Sequence, residues 1–387
     1  MRGHVRVRGN GHWYAVLDIH DPVTGARRRK WISLPECKGR RQAQVRCAEL
    51  IAELQSGTSI DPNKITVAEF LDRFDRDWAS IHVSAYSRER YRFALDHVRR
   101  QLGERSLQKL RPADLAALYA ALGRGGLASR TIRLIHTVLH RALGQAKSWD
   151  LIRNNPADLV KPPKMPNQET PMLQPDQAAA LLERLRGKPL YLLASLALGT
   201  GMRRNEMLGL RWQDVDLAAG RLTIERSLEQ TTAHGIRVKG PKTKHGRRTI
   251  SLPAHLVTEL RQHRREQQEQ RLSMGLGKAP GSAPVFAAVD GQHLSPNSIT
   301  KAWLVVMASI GMPAVTLHSL RHTHASMLIA SGVDILVISR RLGHSSPTIT
   351  LNVYGHLIHG GDDRAAQVME AAFGSKMVAS SDRKPEK

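Results

Sequence analysis

The chain has little of what marks secreted, metal-binding and membrane proteins. Only two cysteines, Cys37 and Cys47, occur in 387 residues, and they form no Cys-x-x-Cys pair. A disulfide framework and a zinc knuckle are therefore not indicated. The amino terminus lacks the apolar segment of a signal peptide, and the longest apolar stretch, near residues 190–198, is far shorter than the roughly 20 residues that span a bilayer. We expect a reducing, cytoplasmic location and no membrane partner.

Acidic residues are scarce relative to basic ones. Lys and Arg number 58 against 34 Asp and Glu, which gives a formal net charge of +24. The basic residues occur in several separate segments rather than on one amphipathic helix, so the excess favours a nucleic-acid partner over a membrane surface. A merely soluble basic surface is the alternative. The length predicts two or three domains, each able to bury a core of its own.

The first 60 residues predict a small α/β unit. Residues 12–20 and 26–34 are rich in aromatic and β-branched residues, and the segment between them has the composition of a tight turn, so they predict a β-hairpin. A helix over 40–56 follows. Four basic residues of the second strand suit a DNA groove, although a solvated edge strand blunted by charge is the alternative: Arg27, Arg28, Arg29 and Lys30.

Residues 64–155 predict a helical bundle. Ser87 is expected to cap a basic helix that stops at Gly103, and Pro112 sits where the first turn of a helix tolerates proline. Apolar residues then recur at helical spacing: Ile132, Ile135, Leu139, Ala142 and Ala146. This spacing leaves Arg130 and Arg133 for the other faces of that helix, and we take these two residues, with Arg88 of the earlier basic helix, as candidate DNA contacts.

A proline-rich stretch, residues 156–171, predicts an extended linker and a domain boundary. The domain beyond it, residues 172–374, mixes helices with three short strand candidates at 222–227, 236–239 and 248–252. The tail, residues 375–387, is polar and is expected to be disordered. The fold class expected for the whole chain is multidomain and mainly α, with small β elements.

Four short motifs in the carboxyl-terminal half carry the chemistry. They are Thr-Gly-Met-Arg-Arg-Asn-Glu at 200–206, Pro-Lys-Thr-Lys at 241–244, Leu-His-Ser-Leu-Arg-His-Thr-His at 317–324, and Leu-Gly-His at 342–344 with Tyr354 ten positions later. Their order and spacing resemble the tyrosine recombinases, the phage integrase family, over roughly residues 64–360. The resemblance implies an arm-type DNA-binding domain in 1–60, a SAM-like core-binding domain in 64–155 and an α+β catalytic domain in 172–374.

By the same resemblance, six residues form a catalytic set: Arg203, Lys242, His318, Arg321, His344 and Tyr354. Two arginine forks can neutralise the charge that builds on a phosphodiester under attack. Tyr354 is the expected nucleophile, and its phenol needs a cationic site and a base because its ordinary pKa is near 10. Lys242 is the expected acid for the leaving 5′ oxygen, with Lys244 as the alternative.

Spacing within the motifs suggests further roles. His318 and Arg321 lie three positions apart, so a helix would present both to the same point. Glu206 lies three positions after Arg203. It could orient the Arg203 guanidinium group, or the two residues could form an ordinary surface ion pair, and the sequence favours neither alternative. His322 and His324 have no partner at metal-ligand spacing, and we assign them to packing and hydrogen bonding. We expect no metal and no cofactor, because a covalent phosphotyrosine conserves the energy of the broken bond.

The function expected is site-specific recombination of double-stranded DNA at attachment sites in a bacterial cell, through a 3′-phosphotyrosine, for integration of a phage or mobile element. By family analogy four protomers act together, with accessory DNA-bending or directionality factors as possible partners. Residues 360–373 have a helical rhythm suited to docking on a neighbouring protomer. The alternatives are a tyrosine topoisomerase that attaches to 3′ ends and a DNA-binding regulator with an inactive site.

The charge predicts that DNA affinity depends steeply on salt. Phosphate contacts by Lys and Arg release counterions, so affinity should fall by roughly 10³-fold or more between 50 and 200 mM salt. Fluorescence anisotropy of a labelled duplex, titrated at several salt concentrations, measures the slope. A shallow slope would contradict the assignment of the basic surface to DNA.

Overall fold

The computed structural model describes residues 2–9, 11–20, 27–55, 64–165, 172–241, 246–355 and 366–374. The chain divides into two compact units, Met1–Pro166 and Asn167–Lys387. The turn predicted within residues 21–26 and the polar tail at 375–387 lie outside the described residues.

The first unit begins with a three-stranded antiparallel sheet. Its strands are β1 (Arg2–Arg8), β2 (His12–His20) and β3 (Arg27–Leu34), and helix α1 (Arg40–Gln55) follows. The predicted β2–β3 hairpin is confirmed by the pairing of the two strands, whereas β1, which pairs with β2, was not predicted. Apolar residues of the sheet and of α1 form a small core of their own: Ala15, Leu17, Leu34, Ala43, Cys47 and Leu50.

The rest of the first unit is helical, as predicted. Helix α2 (Val67–Arg73) continues through a π-helical segment (Phe74–Ala79) into α3 (Ser80–His82). Three longer helices follow: α4 (Ala85–Leu102), α5 (Pro112–Arg124) and α6 (Ser129–Ser148). The five apolar residues predicted to face the core from α6 are all buried.

Two local predictions in this unit were wrong. The cap of helix α4 lies three residues before the predicted one: Ser84 is the N-cap, and its hydroxyl accepts a hydrogen bond from the backbone N–H of Ser87 at 3.2 Å. The segment that begins at Pro156 is not extended at first. Pro156–Leu159 form a 3₁₀ turn, which tolerates proline at its first position because the N–H that proline lacks would have no partner there. Asn155 caps the turn by accepting a hydrogen bond from the Ala157 N–H at 3.0 Å.

The second unit opens with helices and small sheets. The helices are α7 (Pro175–Leu185), α8 (Tyr191–Thr200) and α9 (Arg204–Leu208). The strands are β4 (Val215–Asp216), β5 (Arg221–Ile224), β6 (Ser227–Thr231), β7 (Gly235–Lys239) and β8 (Arg248–Ser251). Strands β4, β5 and β8 form one sheet, and β6 pairs with β7 in another. The single strand predicted over 222–227 is therefore divided, and β6 was missed.

Five helices follow among the described residues up to 355: α10 (Ala254–Ser273), α11 (Pro296–Ser309), α12 (Leu317–Ala330), α13 (Ile335–Leu342) and α14 (Pro347–Tyr354). Residues 366–374 are also helical, and their final segment is π-helical. None of the described helices is both long and apolar enough to cross a bilayer. The main core of the unit lies between α7, α8, the sheets and helices α10 to α12.

A smaller apolar cluster positions the end of α14. Tyr354 is only 2% exposed and packs among Ala325 and Ile329 of α12 and Ile338 and Leu342 of α13. The proposed nucleophile is therefore fixed by side chains from two neighbouring helices.

Candidate active site

The site is organised around the carboxyl-terminal end of α13. Gly343 has a φ of 65°, in the left-handed region that favours glycine, and it ends the helix. The N–H of Gly343 donates to the Arg340 carbonyl, and the N–H of His344 donates to the Ser339 carbonyl, at 3.0 and 3.1 Å. This is a Schellman motif, which satisfies only some of the carbonyls that a helix end leaves free.

The next three carbonyl oxygens each accept a hydrogen bond from a different arginine. The Arg341 oxygen accepts from Nε of Arg248 at 2.6 Å. The Leu342 oxygen accepts from Nη2 of Arg321 at 2.7 Å, and the Gly343 oxygen accepts from Nη2 of Arg203 at 3.2 Å. Since the end of a helix carries partial negative charge, it is a favourable place to gather cationic groups.

Arg321 is held at both ends of its guanidinium group. Its Nη1 donates to the Gly201 carbonyl at 2.7 Å, opposite the bond from Nη2 to Leu342. The residue is buried, and this burial, with the charge of Arg203, lowers the pKa of Arg321 to about 9. The guanidinium group of Arg321 therefore keeps its charge at neutral pH. A negatively charged group brought next to it would be strongly stabilised.

Glu206 supplies the carboxylate that two of the arginines share. It is buried, and its Oε1 accepts from Nη1 of Arg203 at 2.8 Å, while its Oε2 accepts from Nη2 of Arg248 at 2.9 Å. Burial alone would raise the pKa of Glu206, but the hydrogen bonds and charge of Arg248, together with Arg203, lower it overall. Arg203 is the N-cap of α9, which begins at Arg204.

The phenol of Tyr354 is bound by a histidine that was not in the predicted set. The Tyr354 hydroxyl lies 2.7 Å from Nδ1 of His322, and the two ring centroids are 5.5 Å apart. Burial raises the pKa of Tyr354 to about 12, although the charge of Arg321 acts in the opposite direction. Burial also lowers the pKa of His322 to about 4, so its imidazole is neutral at neutral pH.

His318 lies next to this pair. Its ring packs edge-on against the ring of His322, with centroids 4.7 Å apart. Desolvation lowers the pKa of His318, and the charges of Arg321 and Arg203 act in the same direction. The predicted spacing of His318 and Arg321 on a helix is realised, since both belong to α12.

His344 and His324 take up different positions around the turn. Nδ1 of His344 lies 2.8 Å from the hydroxyl of Thr350, and burial followed by the charge of Arg321 lowers the pKa of His344 to about 4. His324 lies behind the site, with Nδ1 2.6 Å from the Leu198 carbonyl and Nε2 accepting from Nε of Arg341 at 3.1 Å. His324 therefore packs and hydrogen-bonds, as the sequence predicted.

Lys242 and Lys244 lie outside the described residues. The strands on either side of them, β7 and β8, belong to different sheets, since β7 pairs with β6 and β8 pairs with β5. Among the described residues, no group of three or more His, Cys, Asp or Glu side chains is arranged to hold a metal ion.

The predicted DNA-contacting residues have varied surroundings. Arg27, Arg28 and Lys30 belong to β3, but their side chains lie outside what is described. The Arg29 side chain is 65% exposed and lies 3.4 Å from an Asp18 oxygen.

The three candidates of the helical bundle differ from one another. Arg88 forms a two-pronged pair with Asp75, with both bonds 2.8 Å long, so its charge already has an internal partner. Arg130 and Arg133 are exposed on α6.

Sequence reasoning missed Arg248 and the contact that His322 makes. Arg248 lies outside all four motifs, and no local spacing relates it to Glu206, 42 positions earlier. His322 follows Arg321 directly, but adjacent residues on a helix point in different directions, so only the position of α14 shows that it meets Tyr354.

Comparison with known proteins places this geometry in a family. Residues 171–359 match the phage integrase family. The chain is 28% identical to an integrase of Streptomyces ambofaciens, over 95% of this chain and 97% of that protein. It is 26% identical to a XerC-like tyrosine recombinase of Caldanaerobacter subterraneus, over 87% and 90% of the two chains.

Solved structures show the same fold. The Tn1549 transposon integrase in complex with transposon right-end DNA superposes with a TM-score of 0.68 at 21% identity, over 79% of this chain and 99% of that one. The lambda integrase tetramer bound to a Holliday junction superposes with a TM-score of 0.55 at 20% identity, over 90% and 94% of the chains. The chain is mainly helical with small sheets, like these integrases.

The matched segment contains every member of the predicted catalytic set, and the comparisons together support a tyrosine recombinase. Tyrosine recombinases of the phage integrase family are enzymes that break and rejoin DNA.

The close packing around Gly201 predicts that a methyl group there disturbs the site. Gly201 and Gly311 both follow a helix with φ near 70°, but a Cβ at Gly201 would lie 2.6 Å from the His324 ring and 2.7 Å from Leu342, whereas Gly311 has open space. Both alanine variants should lose about 1 kcal/mol through the left-handed backbone. Only Gly201→Ala should also displace the carbonyl that holds Arg321 and reduce covalent DNA attachment at least 10-fold.

Melting temperatures from scanning fluorimetry and adducts counted on denaturing gels measure the two effects. Equal attachment by the Gly201→Ala and Gly311→Ala proteins would show that the Gly201 carbonyl does not position the clamp.

Proposed function

We propose that this chain recombines double-stranded DNA at specific attachment sites by using Tyr354 as the nucleophile. The phenolic oxygen bonds to the scissile phosphorus, the bond from phosphorus to the 5′ oxygen breaks, and a 5′ hydroxyl leaves with a proton. The resulting 3′-phosphotyrosine keeps a high-energy phosphodiester, so a 5′ hydroxyl from another strand can reverse the step. Integration of a phage or mobile element uses this exchange.

The observation that carries the proposal is the fixed pair of guanidinium groups beside a buried tyrosine. Arg321 and Arg203 are each bound to a backbone carbonyl at the end of α13, and the electrostatic influence of Arg321 reaches Tyr354. Arg203 retains 42% exposure of its side chain, so it can still meet a phosphate oxygen. Pre-oriented donors of this kind stabilise the charge that develops in the transition state without rearranging during the reaction.

Histidines supply the proton chemistry around the phenol. His322 contacts the Tyr354 hydroxyl directly, and His318 packs against His322 within reach of both arginines. A neutral imidazole in either position can accept the phenolic proton when a phosphate enters, since the added negative charge raises the pKa of a nearby histidine. His344 is placed to donate to the phosphate from the turn after α13. Lys242, or Lys244 in its place, would protonate the leaving 5′ oxygen.

The amino-terminal parts of the chain would select the DNA site. We assign residues 1–60 to an arm-type domain, residues 64–155 to a core-binding domain, residues 156–171 to a linker and residues 172–374 to the catalytic domain. One face of the first sheet combines basic and aromatic groups, with Arg8 5.3 Å above the Trp31 ring and Tyr14 packed edge-on against it. Such surfaces suit nucleic acid. Arg29, Arg130 and Arg133 remain our candidate contacts, whereas Arg88 would have to leave Asp75.

Four protomers would act together on two duplexes. A protein of the same fold, the lambda integrase, has been solved as a tetramer bound to a Holliday junction. Part of the segment that we expect to dock on a neighbour, residues 366–374, is helical and exposes Val368, Met369 and Phe373. Accessory bending or directionality proteins would be further partners.

Replacing the nucleophile tests the reaction directly. Tyr354→Phe keeps the buried ring and removes only the hydroxyl, so the protein should fold and bind DNA as before but form no covalent adduct. Duplexes taken from the DNA that flanks its gene serve as substrates, with adducts detected as detergent-resistant complexes. Tyr191→Phe is the matched control, since it removes a hydroxyl bound to Glu259 elsewhere in the catalytic unit and should leave adduct formation unchanged.

Adducts that persist in the Tyr354→Phe protein would assign the attack to another residue. If the wild-type protein forms no adduct on any of these duplexes, the chain is a DNA-binding regulator instead.

A further inference from the structure

Arg248 is one of the three arginines that meet at the end of α13, and its side chain is far less exposed than that of Arg203. It is the first residue of β8, and only 7% of its side chain is exposed, compared with 42% for Arg203. Arg248 has no place in the predicted catalytic set, although it lies within the same group of charges as Arg203, Glu206 and Arg321.

The guanidinium group of Arg248 donates most of its hydrogen bonds to groups inside the protein. Nε donates to the Arg341 carbonyl, Nη1 donates to both Glu206 and the Gly246 carbonyl at 3.2 Å, and Nη2 donates to Glu206 at 2.9 Å. These bonds occupy four of the five N–H groups that an arginine has. A side chain so buried and so fully bound is unsuited to hold a phosphate itself.

What Arg248 does is fix the carboxylate that orients Arg203. The Glu206 carboxylate accepts hydrogen bonds from the guanidinium groups of both Arg248 and Arg203. The backbone N–H of Arg203 also donates to it, at 2.9 Å. Without Arg248, a buried carboxylate would depend on Arg203 alone. Arg203 would then move toward Glu206 and away from the Gly343 carbonyl. The orientation of its guanidinium group toward a phosphate would change.

Arg248 also joins parts of the chain that carry different catalytic residues. Its bond to Arg341 reaches the helix end that precedes His344, and its bond to Gly246 reaches the residue that follows the segment with Lys242 and Lys244 in the sequence. A lysine could make only one or two of these contacts, since it has a single nitrogen and no planar fork.

We propose that Arg248 is a positioning residue of the reaction, which holds Glu206 and thereby sets the orientation of Arg203 toward the scissile phosphate. This inference rests on the proposed function. It predicts that loss of Arg248 slows covalent attachment and leaves DNA affinity almost unchanged, because Arg248 itself touches no DNA.

The test compares single-turnover rates of adduct formation on a duplex that the wild-type protein is known to attack. Arg248→Gln should slow the reaction roughly 100-fold, the size of effect expected when a catalytic group is misplaced by about 1 Å. DNA affinity, measured by anisotropy, should stay within about 3-fold of wild type. Arg247→Gln is the matched control, since Arg247 is its neighbour, has a 67% exposed side chain and should give the wild-type rate.

A double-variant cycle separates positioning from general damage. If Arg248 acts through Glu206, then the protein with both Arg248→Gln and Glu206→Gln should react no more slowly than the slower of the two single variants. The inference would be overturned if the rate reductions of the two single variants multiply in the double variant. A rate for Arg248→Gln within about 3-fold of wild type would also overturn it.

The dependence of the adduct-formation rate on pH distinguishes positioning from a general loss of stability, which would not change that dependence. The charged groups facing Glu206 are Arg203 and Arg248, with Arg321 farther away. Removing Arg248 should raise the pKa of Glu206, because burial is then less opposed. A carboxylate with a raised pKa is protonated as the pH falls, so the ratio of Arg248→Gln to wild-type rates should drop between pH 8 and pH 5.

The same ratio should stay flat when both proteins carry Glu206→Gln. Arg248→Lys keeps the positive charge but loses the planar guanidinium group, so it should react slowly but show a smaller fall in relative rate between pH 8 and pH 5. It replaces Arg248→Gln in the test if the glutamine variant does not fold. An unchanged profile in the Arg248 variants would contradict the inference. Absence of any adduct with wild-type protein would instead count against the proposed function.

Discussion

Three consecutive backbone carbonyls at the end of one short helix hold the cationic centre of this enzyme together. The Schellman motif at Gly343 uses the carbonyls of Ser339 and Arg340, so those of residues 341, 342 and 343 remain for other donors. Each binds one guanidinium group. Like charges brought so close repel one another, and this arrangement survives because the helix end and Glu206 supply the opposing negative charge.

The same constraint explains why the centre is suited to a phosphodiester. One buried carboxylate, which pairs with Arg203 and Arg248, faces three arginines, so the group as a whole keeps a positive excess. Burial and, after it, the charge of Arg203 lower the pKa of Arg321. The histidines beside it are held neutral for the same reason, since burial and the nearby arginines lower the pKa of His344 and of His322. A bound phosphate would relieve the repulsion and shift these pKa values upward, which prepares the proton acceptors only when substrate is present.

Much of the fold could be predicted from the sequence because it depends on local patterns. The apolar repeat of α6, the proline at the start of α5 and the β2–β3 hairpin each depend on residues a few positions apart. The predictions failed where equivalent signals compete or where partners are distant. Ser84 and Ser87 are both serines able to cap α4, and the broken strand at 222–227 carries no glycine or proline to mark the division.

The candidate site shows the same limit. The motifs point to residues that could act on a phosphate, because the chemistry of phosphate attack restricts which side chains can serve. They did not identify Arg248, whose importance arises from contacts with residues 42 and 93 positions away. The Leu-Gly-His motif was assigned only through His344, whereas its leucine and glycine serve through their backbone oxygens, which no side-chain pattern can reveal.

The most direct test of this account is a crystal structure of the DNA-free enzyme at a resolution that places each guanidinium group. We predict that Arg248, Arg321 and Arg203 are bound in that order to the carbonyls of residues 341, 342 and 343 before any phosphate is present. Guanidinium groups turned toward solvent, with those three carbonyls bound to water, would show that DNA assembles the clamp and would contradict the claim that the helix end does so.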